Sequence, residues 1–248
     1  MTADLIEPRN PSPNLTNPRQ IFLIGIEGLL ASGKTTLLSN LSKSYSSSHR
    51  DLIFIVPEAL DLYTNFKNQY NPLEEMYSRP DENIIMTQIH LARSLNQRID
   101  ETLNLLPKTA GTYVVITDRC LFSPEMFIKT YYVMNLLSEY SKDLLLDEIK
   151  SMAYQVLEKH DARFAGMIYL DTTIPTCMER MKKRNRPFEK NISENFLRIL
   201  KIQHEEFFCS WKYALNCRCV IKINGNADET NILENMVTFI GEFLEKYY

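Results

Sequence analysis

The segment GLLASGKT, residues 28–35, constrains this chain more than any other stretch of it. It satisfies G-x-x-x-x-G-K-[ST], follows the apolar run IFLIGIEG (21–28) and opens a helical stretch from Gly33 to about Tyr45. Strand, turn and helix therefore come in the order a phosphate-binding loop needs. Average residue frequencies would produce the string in about one chain in a hundred, and the strand-helix setting makes coincidence rarer still. Gly28 and Gly33 let Leu29, Leu30, Ala31 and Ser32 curl their backbone N–H groups around phosphate oxygens. The helix N-terminus, with Thr36 in its first turn, adds a partial positive charge and Lys34 a full one, while Thr35 can offer its hydroxyl to Mg²⁺. The expected ligand is a nucleoside triphosphate. Gly25 lies within the strand, where a close approach of neighbouring backbone is the expected reason for a glycine.

The apolar run recurs in LIFIV (52–56), YVVIT (113–117), GMIYL (166–170) and CVIKI (219–223). Each is near-continuously hydrophobic, as strands covered on both faces are. Helical patterns separate them, at about 82–106, 123–140, 142–160, 175–184, 190–214 and 229–246. Strands alternating with helices predict an α/β fold: a five-stranded parallel sheet flanked by helices. Residues 1–19, with Pro8, Pro11, Pro13 and Pro18 among Asn, Ser and Thr, read as a flexible leader, and 20–248 as one domain. Dense apolar faces (Val133, Met134, Leu137; Leu145, Ile149, Met152, Val156) between the third and fourth strands predict core, with a surplus suited to a homodimer.

A formal net charge of −3 argues against a nucleic-acid-binding protein, so an anionic ligand needs a local basic cluster. No stretch approaches the roughly 18 uninterrupted apolar residues of a transmembrane helix, and no secretory signal opens the chain. Neither membrane nor nucleic acid is an expected partner. The five cysteines lack a CxxC pair and read as reduced thiols of a cytoplasmic protein.

Charged residues at the carboxyl ends of parallel strands face the ligand crevice. Glu58 follows the second strand, and Asp118 and Arg119 follow the third. One such carboxylate can take a proton from an attacking hydroxyl, a second can hold a metal, and the arginine can offset charge during transfer. The run RMKKRNRPFEK (180–190) holds six basic residues in eleven; Arg180 and Arg184 share a helical face and Arg186 follows. In a mildly acidic chain this isolated cluster predicts a helical arginine lid over the phosphates. The loop itself leaves switch, motor and small-molecule kinase open.

Several spaced motifs narrow that choice, because from about Ile21 to Trp211 the chain resembles the deoxyribonucleoside kinases. IEGLLASGKTT is similar to that family's P-loop and PEAL to the segment with its catalytic glutamate. MYSRPDENIIMTQ resembles the stretch whose tyrosine and glutamine hold sugar and base, matched here by Tyr77 and Gln88. DRCLFS resembles the Glu-Arg-Ser motif with Asp for Glu and Cys for Ser, and CMERMKKRNRPFE resembles the lid. The resemblance implies a P-loop kinase fold and transfer of the γ-phosphoryl of ATP, with Mg²⁺, to the 5′-hydroxyl of a deoxynucleoside. Glu58 would be the base, steadied by Arg119. Asp118 and Thr35 would serve Mg²⁺, and Lys34, Arg180, Arg184 and Arg186 the phosphates. Tyr77 and Glu189 would bind the sugar 3′-hydroxyl. The Arg–Asp pair that lines the base pocket in deoxycytidine and deoxyguanosine kinases aligns with Leu95 and Pro124, which implies a thymidine or broad pyrimidine preference. Phe188 stands where the family often has an acidic residue.

Tyr63, Phe66, Tyr70, Leu91 and Phe122 are candidates for the nucleoside pocket, and Met86 and Met126 for core. The histidines lack ligand spacing. A thymidylate kinase shares the loop, the Asp-Arg pair and the lid, but needs basic groups deep in the acceptor pocket, where 59–89 supplies only Lys67 and Arg79. A silent nucleotide-binding protein would have no use for Lys34, Glu58, Arg119 and the lid together.

Overall fold

Apolar residues run almost without a break along the central strands and so point to both faces, which forces the sheet to be covered on both. The computed structural model describes residues 18–44, 52–214 and 219–247; residues 1–17, with most of the expected leader, and His49 and Cys217 lie outside them. The strands are β1 (Arg19–Glu27), β2 (Ile53–Val56), β3 (Gly111–Asp118), β4 (Ala162–Asp171) and β5 (Val220–Asn224). They pair in parallel in the order β2-β3-β1-β4-β5. β1 begins at Arg19, inside the segment expected to be leader, where the Arg19 Nε donates to the Pro107 carbonyl at 2.9 Å.

Along β1, Ile21 and Leu23 face one apolar cluster while Phe22, Ile24 and Ile26 face another. The second cluster is closed by α1 (Lys34–Ser44) and α9 (Glu229–Tyr247), through Leu37, Leu38, Leu41, Met236 and Ile240. The first is closed by α4 (Pro80–Leu105), α5 (Pro124–Val133), α6 (Glu139–His160) and α8 (Glu194–Ala214). The expected helix 123–140 stops at Val133: Asn135 takes a left-handed φ of 59°, and Ser138 caps α6 by accepting the Ser141 amide at 3.0 Å. Two short helices, α2 (Leu60–Tyr63) and α3 (Pro72–Ser78), fill the stretch after β2. α7 (Ile174–Arg184) ends on the left-handed Asn185 and leads into a 3₁₀ turn, Pro187–Glu189. Most of the apolar residues assigned above to core or interface are core: Leu137, Leu145, Ile149 and Val156 are buried, while Val133 is exposed. Met126 is buried, but Met86 is 70% exposed, so its expected core position is corrected: it lies on the outer face of α4.

The sheet order changes direction at β1 and β3, and a ligand crevice opens at such a switch point. The end of β1 is pressed against the turn after β3. A Cβ on Gly25 would stand 2.4 Å from the Cys120 Cβ, the close approach the glycine predicted. Gly25→Ala should therefore cost about 1–3 kcal/mol by overpacking. A fall in the urea midpoint with unchanged m-value would register it, and an unaltered midpoint would contradict it.

Candidate active site

At the carboxyl end of the sheet Glu58 and Arg119 line one cleft of about 450 Å³, with Asp118 and Glu27 behind its lining. Its floor is the loop between β1 and α1. Gly28 and Gly33 have φ of 149° and 111°, and a Cβ on Gly28 would stand 2.7 Å from the Leu170 carbonyl. Leu30 to Thr36 line the cleft. Gly28 and Leu29 do not; their carbonyls lie beneath it and accept from Lys34 Nζ at 3.0 and 2.9 Å. Burial, then the adjacent Arg119 charge, draws the Lys34 ammonium down to about 8. A bound triphosphate favours its charged form, so binding at about pH 9 takes up a proton, and much less is taken up near pH 7. Calorimetry in buffers of different ionisation enthalpy should give a buffer-dependent heat at the higher pH; equal heats there would contradict this.

The Thr35 hydroxyl donates to Asp118 Oδ2 at 2.6 Å, and Asp118 Oδ1 is buried without a hydrogen-bond partner. Burial, then the Glu58 charge, raises the Asp118 carboxyl. A hydroxyl beside an uncommitted carboxylate oxygen is a hard donor set, suited to a cation that keeps several waters and takes its other ligands from phosphate. Among the described residues no group of three or more His, Cys, Asp or Glu forms an all-protein metal cage.

Glu58 lines the same cleft. Arg119 Nε donates to its Oε1 at 3.0 Å, and the guanidinium lies 4.9 Å from the Phe127 ring centre. Burial would raise the Glu58 carboxyl; Arg119, then Lys34, override it and hold it below its ordinary value, so it is ionised at neutral pH. On Arg119 burial is opposed by Glu58, Glu27 and Asp118, which keep the guanidinium charged. Arg119 has a left-handed φ of 76°, the kind of backbone strain that collects at working sites.

The lid closes the third side. Arg180 Nη1 donates to the Ser32 carbonyl at 2.6 Å and Nη2 to the Gly225 carbonyl at 3.2 Å, tying α7 to the loop. Arg184 grips Glu189 with two N–H groups, and Arg186 Nη1 lies 3.6 Å from the same carboxylate. The Tyr131 hydroxyl donates to Met76 Sδ at 3.6 Å, and Tyr77 lines the same cleft as Glu189. Gln88 is 1% exposed, its amide nitrogen 3.4 Å from Met76 Sδ, a weak acceptor. Leu91, Leu95, Pro124 and Phe188 line the cleft as well.

Three pocket candidates are corrected. Phe122 packs in an aromatic core against Phe164 and Trp211, at 5.6 and 5.2 Å between ring centres, away from the cleft. Phe66 and Tyr70 pair with each other in a small turn and are 41% and 57% exposed. Tyr63 does line the cleft. Two buried residues behind it had no assigned place. Glu27, the last residue of β1, accepts the Cys120 amide and the Ser123 hydroxyl at 2.9 and 3.1 Å; its position immediately before the loop was the signal available. His204 is 1% exposed in α8, with nothing in its sequence surroundings to mark it.

An ammonium held by the loop carbonyls and an ionised carboxylate thus line the same cleft, an arrangement compatible with moving a phosphoryl group onto a hydroxyl. With this parallel sheet and arginine lid they define a P-loop kinase. Residues 24–245 match the deoxynucleoside kinase family model, and the chain belongs to that family. A probable deoxycytidine kinase of fowlpox virus is 26% identical over 235 residues, 88% of each chain. Mitochondrial thymidine kinase 2 of Macaca fascicularis is 25% identical over 198 residues, 79% of this chain and 68% of that one. A solved deoxyadenosine kinase from M. mycoides, with products dCMP and a flexible dCDP bound, superposes with a TM-score of 0.69 at 21% identity. The superposition covers 89% of this chain and 99% of that one. The protein is a deoxynucleoside kinase.

Proposed function

We propose that residues 20–248 form one catalytic unit transferring the γ-phosphoryl of ATP to the 5′-hydroxyl of a deoxynucleoside, with thymidine or pyrimidine deoxynucleosides preferred, in cytoplasmic nucleotide salvage. The observation that carries the chemistry is the pairing of Glu58 and Lys34 across one cleft, with Arg119 tied to Glu58 at 3.0 Å. Glu58 takes the hydroxyl proton as the oxygen attacks, and Arg119 holds the carboxylate in position. Lys34, Arg184 and Arg186 balance charge as it spreads over the moving phosphoryl group. Thr35 and Asp118 would hold Mg²⁺, the unpartnered Asp118 Oδ1 supplying the free donor, and Mg²⁺ when bound offsets charge between the outer phosphates. Tyr77 and Glu189 hold the sugar hydroxyl. Glu189 is the group that grips Arg184 and Arg186, so acceptor and lid share a carboxylate.

The base preference rests on Gln88, Leu95 and Pro124. The Gln88 amide has a weak partner in Met76 and is free to pair with a base edge through one donor and one acceptor. Leu95 and Pro124 are uncharged and leave apolar room for a 5-methyl group. Deoxycytidine, thymidine and deoxyadenosine kinases all stand among the relatives, so the pocket itself must decide. A phosphorylation panel of the four deoxynucleosides tests it: kcat/KM for thymidine should exceed that for deoxyadenosine by about tenfold or more. A purine as best substrate would overturn the preference.

Cys120, Cys177 and Cys209 are free thiols, which suits a reducing compartment, and among the described residues no helix is long and apolar enough to cross a membrane. A homodimer is the proposed assembly. Ile85 and Met86 on α4 and Tyr140 and Leu144 on α6 are exposed apolar residues on two helices that pack together. Light scattering at micromolar concentration should return twice the chain mass, and a single chain mass would contradict it.

A further inference from the structure

Glu27 is a carboxylate with 1% side-chain exposure that does not line the cleft, yet two of its partners, Arg119 and Ser123, do. Its Oε1 accepts the Cys120 amide, and its Oε2 accepts the Ser123 hydroxyl and lies 3.8 Å from Arg119 Nη1. Ser123 Oγ accepts from that same Nη1 at 3.4 Å, closing a triangle of Glu27, Ser123 and Arg119. The imidazole of His204 lies 3.7 Å from Glu27 Oε2. Its Nδ1 donates to the Leu200 carbonyl, and burial draws its pKa down to about 3, so it is neutral. Arg119 is thus the charged cation within ion-pair distance of Glu27 among the described residues.

We propose that Glu27 is a positioning residue for phosphoryl transfer: it fixes the plane of the Arg119 guanidinium and so keeps one oxygen of Glu58 free for the acceptor hydroxyl. The guanidinium is a flat plate pinned at Nε by Glu58 and at Nη1 by Glu27 and Ser123. Two pins at separate points set its tilt. Arginine by preference meets a carboxylate with two parallel N–H groups. With the second pin gone, the plate turns about its remaining contact and engages both Glu58 oxygens, and the base is occupied. The left-handed backbone of Arg119 belongs to the same arrangement: its N–H donates to the Ile26 carbonyl at 3.1 Å, and the next amide, of Cys120, is the one Glu27 accepts.

The proposal rests on Glu58 as the base, and a double-mutant cycle separates the two. Glu27→Gln keeps an acceptor for the Cys120 amide but presents no charge to Arg119. It should lower kcat by roughly tenfold or more while both KM values stay within about threefold, because alignment is lost and binding is not. In the Glu58→Gln enzyme the same change should lower kcat by less than about twofold further. A near-normal kcat for Glu58→Gln refutes the base assignment and this proposal with it. A slow Glu58→Gln enzyme beside a Glu27→Gln enzyme of normal kcat overturns the proposal alone, even if the latter melts at lower temperature, since that is the mark of a structural role. Should Glu27→Gln fail to fold by circular dichroism, Ser123→Ala removes one pin without touching a charge: a lowered kcat at unchanged KM supports the proposal, and an unchanged kcat overturns it.

Discussion

Replacing Glu58 by Gln should lower kcat by roughly 10²-fold or more while leaving nucleoside binding within a few-fold. The substitution is nearly isosteric and keeps a carbonyl oxygen to accept from Arg119 Nε, now at 3.0 Å from the carboxylate, so the cleft wall is retained. What disappears is the proton acceptor. The carboxylate sits below its ordinary pKa because Arg119 and Lys34 outweigh its burial, so at neutral pH the wild-type enzyme already holds it ionised. The loss should therefore be just as large at pH 6 as at pH 8. Steady-state kinetics with saturating donor are sufficient to read it; near-normal turnover would mean that the hydroxyl loses its proton to another group.

The second large effect belongs to Lys34. A triphosphate that binds only the folded protein stabilises it by about 2.7 kcal/mol at a hundred times its dissociation constant. In a domain of this size that raises the melting temperature by roughly 5–10 °C. In Lys34→Ala the shift with ATP and Mg²⁺ should vanish at the same concentrations. The ammonium is held under the loop by the carbonyls of Gly28 and Leu29, whereas Arg180 reaches the loop from α7, at the Ser32 carbonyl. A shift of full size in the variant would show that the lid arginines alone hold the phosphates. The variant's own melting temperature provides the control, since the loop loses three hydrogen bonds with the lysine, to the Gly28 and Leu29 carbonyls and the Ser32 hydroxyl.

Much of this arrangement was legible in the residues, and the reasons are specific. Strands buried on both faces must be apolar throughout, which is why LIFIV and YVVIT declared themselves. The loop was legible because backbone N–H groups, two glycines and a lysine have few other uses in that order. Glu58, Asp118 and Arg119 were legible as charges at strand ends. β4 begins at Ala162, earlier than its apolar run, because ARFA is only partly buried and the register shifts between Leu23 and Ile24 of β1. α2 and α3 are too short, at four and seven residues, to show a helical period, and α3 starts from local chemistry, Asn71 accepting the Glu74 amide before Pro72. Phe122, Phe66 and Met86 show the limit of residue type: an aromatic or a methionine near a motif can face the cleft, the core or solvent, and only the packing of α4, α5 and α8 decides. Glu27 was hidden by its neighbours, since a carboxylate beside a phosphate loop reads as a strand end until its partners, Cys120 and Ser123, are brought up from far along the chain.

The acceptor remains the centre of the account. Of the two basic residues in 59–89, Arg79 is exposed and paired with Glu75 and Glu82, and Lys67 lies 5.5 Å from the exposed Phe66 ring; neither lines the cleft. A wall of that kind suits a neutral nucleoside better than a nucleotide that carries its own phosphate. The direct measurement is the transfer of labelled γ-phosphoryl from ATP to thymidine and to thymidylate, side by side at equal concentration with the purified chain. Turnover of thymidine well above that of thymidylate is the result predicted, and equal or greater turnover of thymidylate would contradict it.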